Sequence, residues 1–156
     1  KIAQREALMW GTIQQDAINF GNILHEIMAF IHTKEDVDLA IQKATELGLI
    51  TFSQHQIFKE TIAKIVNHEE LISFFDADAK VFNEQNIIKK AFKNIKPDRV
   101  VVKDNMAYLL DYKTGEKHNK HKAQLEEYEL ALQEMNYTVA KKALIYIGES
   151  IEIVTL

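Results

Sequence analysis

At 156 residues the chain has the length of one ordinary domain, enough to bury roughly 70% of its unfolded surface without a covalent staple. It contains no cysteine, which excludes a disulfide framework, a thiolate zinc site and an iron–sulfur cluster, and agrees with a reducing, cytoplasmic setting. The net charge of −4 argues against broad polyanion binding, and no apolar run approaches the ~20 residues of a membrane span. Lys1 in place of methionine suggests an excised fragment or a processed chain, with residues 1–156 as a single domain of a larger protein.

The first half reads as helices. Ile18, Ile23, Leu24, Ile27, Met28 and Ile31 recur at helical spacing, Val37 to Leu47 forms a second helix closed by Gly48, and Ile57 to Phe75 supplies one or two more with a break near His68. From Lys80 the period changes. Val81–Phe82 starts a short strand, Arg99–Lys103 and Met106–Tyr112 are β-rich, Lys120 to Met135 is an amphipathic helix, and Val139–Ile147 and Ile151–Leu156 are final strands. Helices followed by strand, hairpin, helix and strand predict an α/β domain with a mixed sheet. No G-x-x-x-x-G-K-[ST] phosphate loop is present.

The chemistry concentrates around the predicted hairpin. Asp104-Asn105 tolerates the left-handed backbone of a two-residue turn, and that turn sets the pairing. With Lys103 opposite Met106, Val102 faces Ala107, Val101 faces Tyr108, Val100 faces Leu109, Arg99 faces Leu110 and Asp98 faces Asp111. Side chains alternate along a strand, so Lys113 emerges on the face of Asp111. Two facing carboxylates beside Val100 and Leu109 destabilise a sheet unless something compensates. The residues alone leave two compensations open: a divalent cation such as Mg²⁺ or Mn²⁺ held by both acids, or Lys113 neutralising Asp111 while Asp98 merely ends a strand beside Pro97.

Charge is also uneven along the chain. Ten of the nineteen Lys/Arg residues lie between Lys89 and Lys122, a segment with four acids, two of which are Asp98 and Asp111. A basic surround for a carboxylate pair suits a polyanionic substrate cut at a metal; a solvated lysine-rich surface is the plainer reading. His118 and His121 share no spacing with a carboxylate and read as surface or phosphate-contacting residues.

Five separated elements resemble the RecB-like branch of the PD-(D/E)XK nucleases, the restriction-endonuclease-like fold found at the C-terminal end of bacterial helicase–nucleases. They are G-N-I-L-H at Gly21–His25, Glu84 in V-F-N-E, P-D-R at Pro97–Arg99, D-Y-K-T-G at Asp111–Gly115 and Q-L-E-E-Y at Gln124–Tyr128. The resemblance implies a restriction-endonuclease-like core with an N-terminal helical region. It also implies a Mg²⁺-dependent deoxyribonuclease, an exonuclease acting on DNA in recombination and repair beside a helicase motor, with Mn²⁺ able to substitute. Asp98 and Asp111 are then the metal-binding carboxylates, with the Tyr112 backbone carbonyl and His25 as further ligands. Lys113 positions the attacking water and stabilises charge on the phosphate, Glu84 is the acid of the preceding strand, and Gln124 and Tyr128 steady the site or touch the DNA backbone.

The chain departs from the family pattern at Asn94-Ile95-Lys96-Pro97, where a glycine often precedes the first aspartate. Without the resemblance, His25 reads as a core histidine, Glu84 as a solvated strand end and Tyr128 as a core tyrosine. Two other readings stand beside the leading one. One is a catalytically inactive nuclease-like module that binds DNA or protein, against which Asp98, Asp111 and Lys113 argue. The other is a stand-alone restriction or junction-cleaving enzyme, for which His25 and Gln124/Tyr128 are the wrong accessories.

Overall fold

A computed structural model describes residues 16, 18–83, 96–148 and 150–156. Glu84 and the lysines at 89, 90 and 93 lie outside the described residues. Helix α1 covers residues 18–28, and Leu24, Ile27 and Met28 on its inner stripe are fully buried. Thr33 then caps a short 3₁₀ turn, Lys34–Asp36, that leads into α2, Val37–Glu46. Gly48 adopts a left-handed φ of 75° and ends α2 as its composition predicts. Helix α3 runs His55–Val66, and the break at His68 is real: its side chain accepts from Glu70 N as a 3₁₀ helix, Glu69–Phe75, begins.

The sheet follows the predicted order, with every strand within two residues of its predicted ends. β1 is Lys80–Asn83, β2 Arg99–Lys103, β3 Met106–Thr114, β4 Thr138–Ile147 and β5 Ile151–Thr155, arranged β1-β2-β3-β4-β5 in space. Asp104 and Asn105 both take positive φ, 52° and 65°, and the β2–β3 ladder pairs Lys103 with Met106 through to Arg99 with Leu110. This is the register the turn predicts. Helix α4, Asn119–Glu134, carries the chain from β3 to the parallel strand β4, while the other neighbours are antiparallel. A parallel pair needs such a crossover, and its helix must lie on one face of the sheet.

Both faces are therefore covered. Val101, Leu110, Tyr112, Ala143 and Ile145 pack against α1–α3, and Val100, Leu109, Leu144 and Tyr146 pack against Leu125, Tyr128 and Leu132 of α4. The result is an α/β architecture with a mixed five-stranded sheet between helical layers, consistent with a restriction-endonuclease-like fold. Among the described residues no helix is long and apolar enough to cross a membrane.

Candidate active site

β3 outruns its partner. The ladder with β2 stops at Arg99 opposite Leu110, while β3 continues to Thr114, so Asp111, Tyr112 and Lys113 extend past the paired region. Asp98 fills the gap with its side chain: Asp98 Oδ2 accepts from Tyr112 N at 2.8 Å, taking the place of a missing strand residue. Asp98 N donates to Asp111 Oδ1 at 3.2 Å. The two acids thus come together as predicted, through a side-chain-to-backbone clasp just outside the ladder instead of a regular cross-strand pair. Because N–H and C=O of one strand residue leave on the same edge, the Tyr112 carbonyl also points to the Asp98 side of β3.

From this clasp a polar chain runs across the end of the sheet. On one side His25 of α1 places Nε2 2.6 Å from Asp98 Oδ1, with its ring edge-on to Tyr112 at 5.7 Å between centroids. On the other side Lys113 Nζ lies 2.7 Å from Asp111 Oδ2 and donates to Gln124 Oε1 at 2.6 Å, whose Nε2 donates to Tyr128 Oη at 2.8 Å. Gln124 and Tyr128 sit one helical turn apart on α4, which lets one amide bridge lysine and phenol. A cavity of about 240 Å³ opens onto His25, Asp98, Asp111, Lys113, Gln124 and Tyr128.

The electrostatics of this chain are unbalanced. Burial, the hydrogen bond to Asp98 and the negative charge of Asp98 push Asp111 up to about 7, and Lys113 only partly offsets them. Burial also works to raise Asp98, but the hydrogen bonds from His25 and Asp111 outweigh it and hold Asp98 below the usual carboxylate range. Tyr128 is pushed up to about 12, by burial first and then by the charges of Asp111 and Asp98. One extra positive charge beside the pair would favour the ionised form of Asp111.

The donor set fits a hard divalent cation: two carboxylates, a backbone carbonyl and an imidazole. Among the described residues, no three His, Asp or Glu side chains already converge as a ligand cage. His25 is committed to Asp98, and Lys113 holds an oxygen of Asp111. Of the predicted site residues, the structure gathers His25, Asp98, Asp111, Tyr112, Lys113, Gln124 and Tyr128, and Glu84 lies outside the described residues. Tyr128 serves both readings, with its ring in the core against α4's neighbours and its hydroxyl on Gln124.

One expectation is corrected. His121 is not a surface residue: it is buried, with Nδ1 3.0 Å from Tyr146 Oη. Its spacing to Leu125, Tyr128 and Leu132 places it on the inward stripe of α4, a signal legible in the sequence once the helix start at Asn119 is known. His118 is exposed. Burial, followed by the charges of Lys113, His118 and Lys120, lowers the His121 pKa.

Sequence reasoning also missed the work of Arg99. It alternates with Asp98, so it points to the opposite face, where it is wholly buried. Nε donates to Phe74 O at 2.9 Å, Nη1 to Ile31 O at 2.6 Å and Nη2 to His32 O at 2.7 Å, with the guanidinium 4.3 Å above the Phe75 ring. These carbonyls lie where the backbone leaves α1 and near the end of the 3₁₀ helix before β1, groups that need partners when buried.

Comparison with known proteins points the same way as the geometry. The family description "PD-(D/E)XK nuclease superfamily" matches residues 2–153. Sporulation-specific protein 77 of Saccharomyces cerevisiae is 35% identical over 75 residues, covering 44% of this chain, which spans 15% of that protein's length.

Proposed function

Since the chain belongs to the PD-(D/E)XK nuclease superfamily, we propose that it is a Mg²⁺-dependent deoxyribonuclease whose reacting groups are Asp98, Asp111 and Lys113. The observation that carries this reading is a half-buried Asp98 whose backbone N–H donates to the buried carboxylate of Asp111, with a lysine on the second acid. Each acid accepts one backbone N–H, which an uncharged side chain could also do; a cation site needs both charges.

Asp98, Asp111, the Tyr112 carbonyl and His25 would hold the cation, which supplies positive charge against a phosphate oxygen and acidifies water. The protein's own groups do the rest. Lys113 Nζ, held by Gln124 and Asp111, stands where charge develops on the phosphorus oxygens and offers a preorganised donor in a partly buried site. Tyr128 keeps Gln124 oriented, and with its pKa pushed up to about 12 it remains a neutral hydrogen-bonding group at working pH. Water adds to phosphorus and gives up a proton to solvent as the bond to the leaving oxygen breaks, and that oxygen takes a proton from solvent in turn.

The finer reading is an exonuclease of the RecB-like branch, serving recombination and repair as the nuclease part of a helicase–nuclease in the bacterial cytoplasm. His25 and the Gln124/Tyr128 pair support that branch over restriction-type enzymes. Co-purification with upstream sequence tests the motor, and failure to associate removes it. The primary test is hydrolysis of end-labelled single- and double-stranded DNA with Mg²⁺, Mn²⁺ or EDTA, with Asp111→Ala alongside. Metal-dependent cutting lost in the variant is expected; cutting that survives EDTA or the substitution sinks the assignment.

A further inference from the structure

We propose that direct contact between the backbone of α1 at Gly21 and the side chain of Thr114 sets the reach of His25 to the carboxylates. Gly21 and Thr114 are thereby positioning residues of the site.

Gly21 is buried inside α1, where glycine is the poorest helix former after proline. The reason lies across the interface. A Cβ added at Gly21 would fall well inside the closest approach of two carbon atoms to Thr114 Cγ2, while Thr114 Cβ and Ile147 Cγ2 would stand at 3.5 Å and 3.7 Å, ordinary contacts. A single methyl group thus measures the distance from α1 to the end of β3. His25 follows Gly21 by four residues, on the same helical face and about 6 Å further along the axis. At that point the imidazole meets Asp98 at 2.6 Å and the Tyr112 ring edge-on.

Thr114 is one residue beyond Lys113 and shares the α1 side of β3 with Tyr112. The same four residues of β3 therefore present Asp111 and Lys113 to one face while Tyr112 and Thr114 seat the helix that brings His25. Any side chain at position 21 drives α1 away from β3 and retracts His25 from Asp98.

The contact predicts a change of sign that mere destabilisation would not. In Thr114→Ser the obstructing methyl is gone, and an alanine at 21 meets only the two ordinary contacts. Gly21→Ala in the wild-type background is expected to shift the His25 ring resonances, to weaken Mn²⁺ binding by calorimetry about tenfold, as loss of an orienting contact around a metal ligand typically does, and to lower kcat more than KM for DNA. The same substitution in the Thr114→Ser background is expected to leave all three within threefold of Thr114→Ser alone and to raise its melting temperature, because alanine is the better helix former.

Equal losses in both backgrounds, or a folded Gly21→Ala with unmoved His25 resonances and Mn²⁺ affinity, overturn the proposal. If Gly21→Ala does not fold, the double variant against Thr114→Ser decides: matched resonances and affinity support the contact, a loss refutes it. Only the kinetic arm rests on the nuclease reading. An inactive protein in which Gly21→Ala still moves His25 defeats that reading and leaves the positioning role standing.

Discussion

Asp98 and Arg99 are adjacent, both are shielded from solvent, and they are treated in opposite ways. Arg99 lies wholly inside the α1–α3 face and meets three backbone carbonyls and an aromatic ring; each of its three nitrogens has a partner. Asp98 lies at the end of the sheet against a second acid, Asp111, and their carboxylates share one lysine and one histidine. A buried charge whose partners match it is architecture. Two acids held together by the fold, one of them pushed up to about 7, are the feature on which the proposed cation site rests.

That contrast can be broken by substitution. Asp98→Asn and Lys113→Ala each should lower DNA cleavage by roughly 10³-fold or more, the scale of losing a charge-stabilising group at a reacting centre, far out of proportion to any loss of melting temperature. Arg99→Met should do the reverse. It strips three buried carbonyls of a charged donor and should destabilise by about 3–5 kcal/mol in denaturant titration, while activity per folded molecule persists. A cleavage defect from Arg99→Met in a fully folded protein would erase the distinction between the two residues.

The pH dependence of metal-free stability sharpens the comparison further. Asp111 sits at about 7 in the folded state, above its unfolded value near 4, so the native protein binds a proton that the unfolded chain has released. Its contribution is fully present below about pH 4 and is lost as pH rises through 7. With chelator present, stability should fall by on the order of 3 kcal/mol between pH 4 and 8, and Asp111→Asn should flatten that slope. Asp98 is held low and acts in the other direction, its contribution being lost only as pH falls through its own folded value. A metal-free profile that rises from pH 4 to 8 would contradict this balance.

The smallest effect expected is at the far end of the polar chain. Tyr128→Phe removes the acceptor of Gln124 Nε2 and keeps the buried ring, so it should cost about 1 kcal/mol of transition-state stabilisation, a several-fold drop in kcat, with KM little changed.

Much of the site is legible in local sequence because a two-residue turn is a local decision. Asp104 and Asn105 accept left-handed backbone, the register follows residue by residue, and it carries Asp98 to Asp111 and Lys113 to the same face without reference to the rest of the chain. The i, i+4 spacing of Gln124 and Tyr128 is local in the same sense. The inward position of His121 follows from the same helical spacing, through Leu125, Tyr128 and Leu132, and what the sheet adds is the Tyr146 hydroxyl as its partner.

What the sequence by itself determined, then, is the pattern of elements, the hairpin register and the opposition of two acids, since each follows from alternation and turn chemistry over neighbouring residues. Only the tertiary structure decided that His25 reaches Asp98, that Gly21 lies against Thr114 and that Arg99 joins the carbonyls of Ile31, His32 and Phe74. Those contacts link residues far apart in the chain, and their distances are set by how closely α1 packs on β3, a quantity that emerges from the whole core and is written in no single segment.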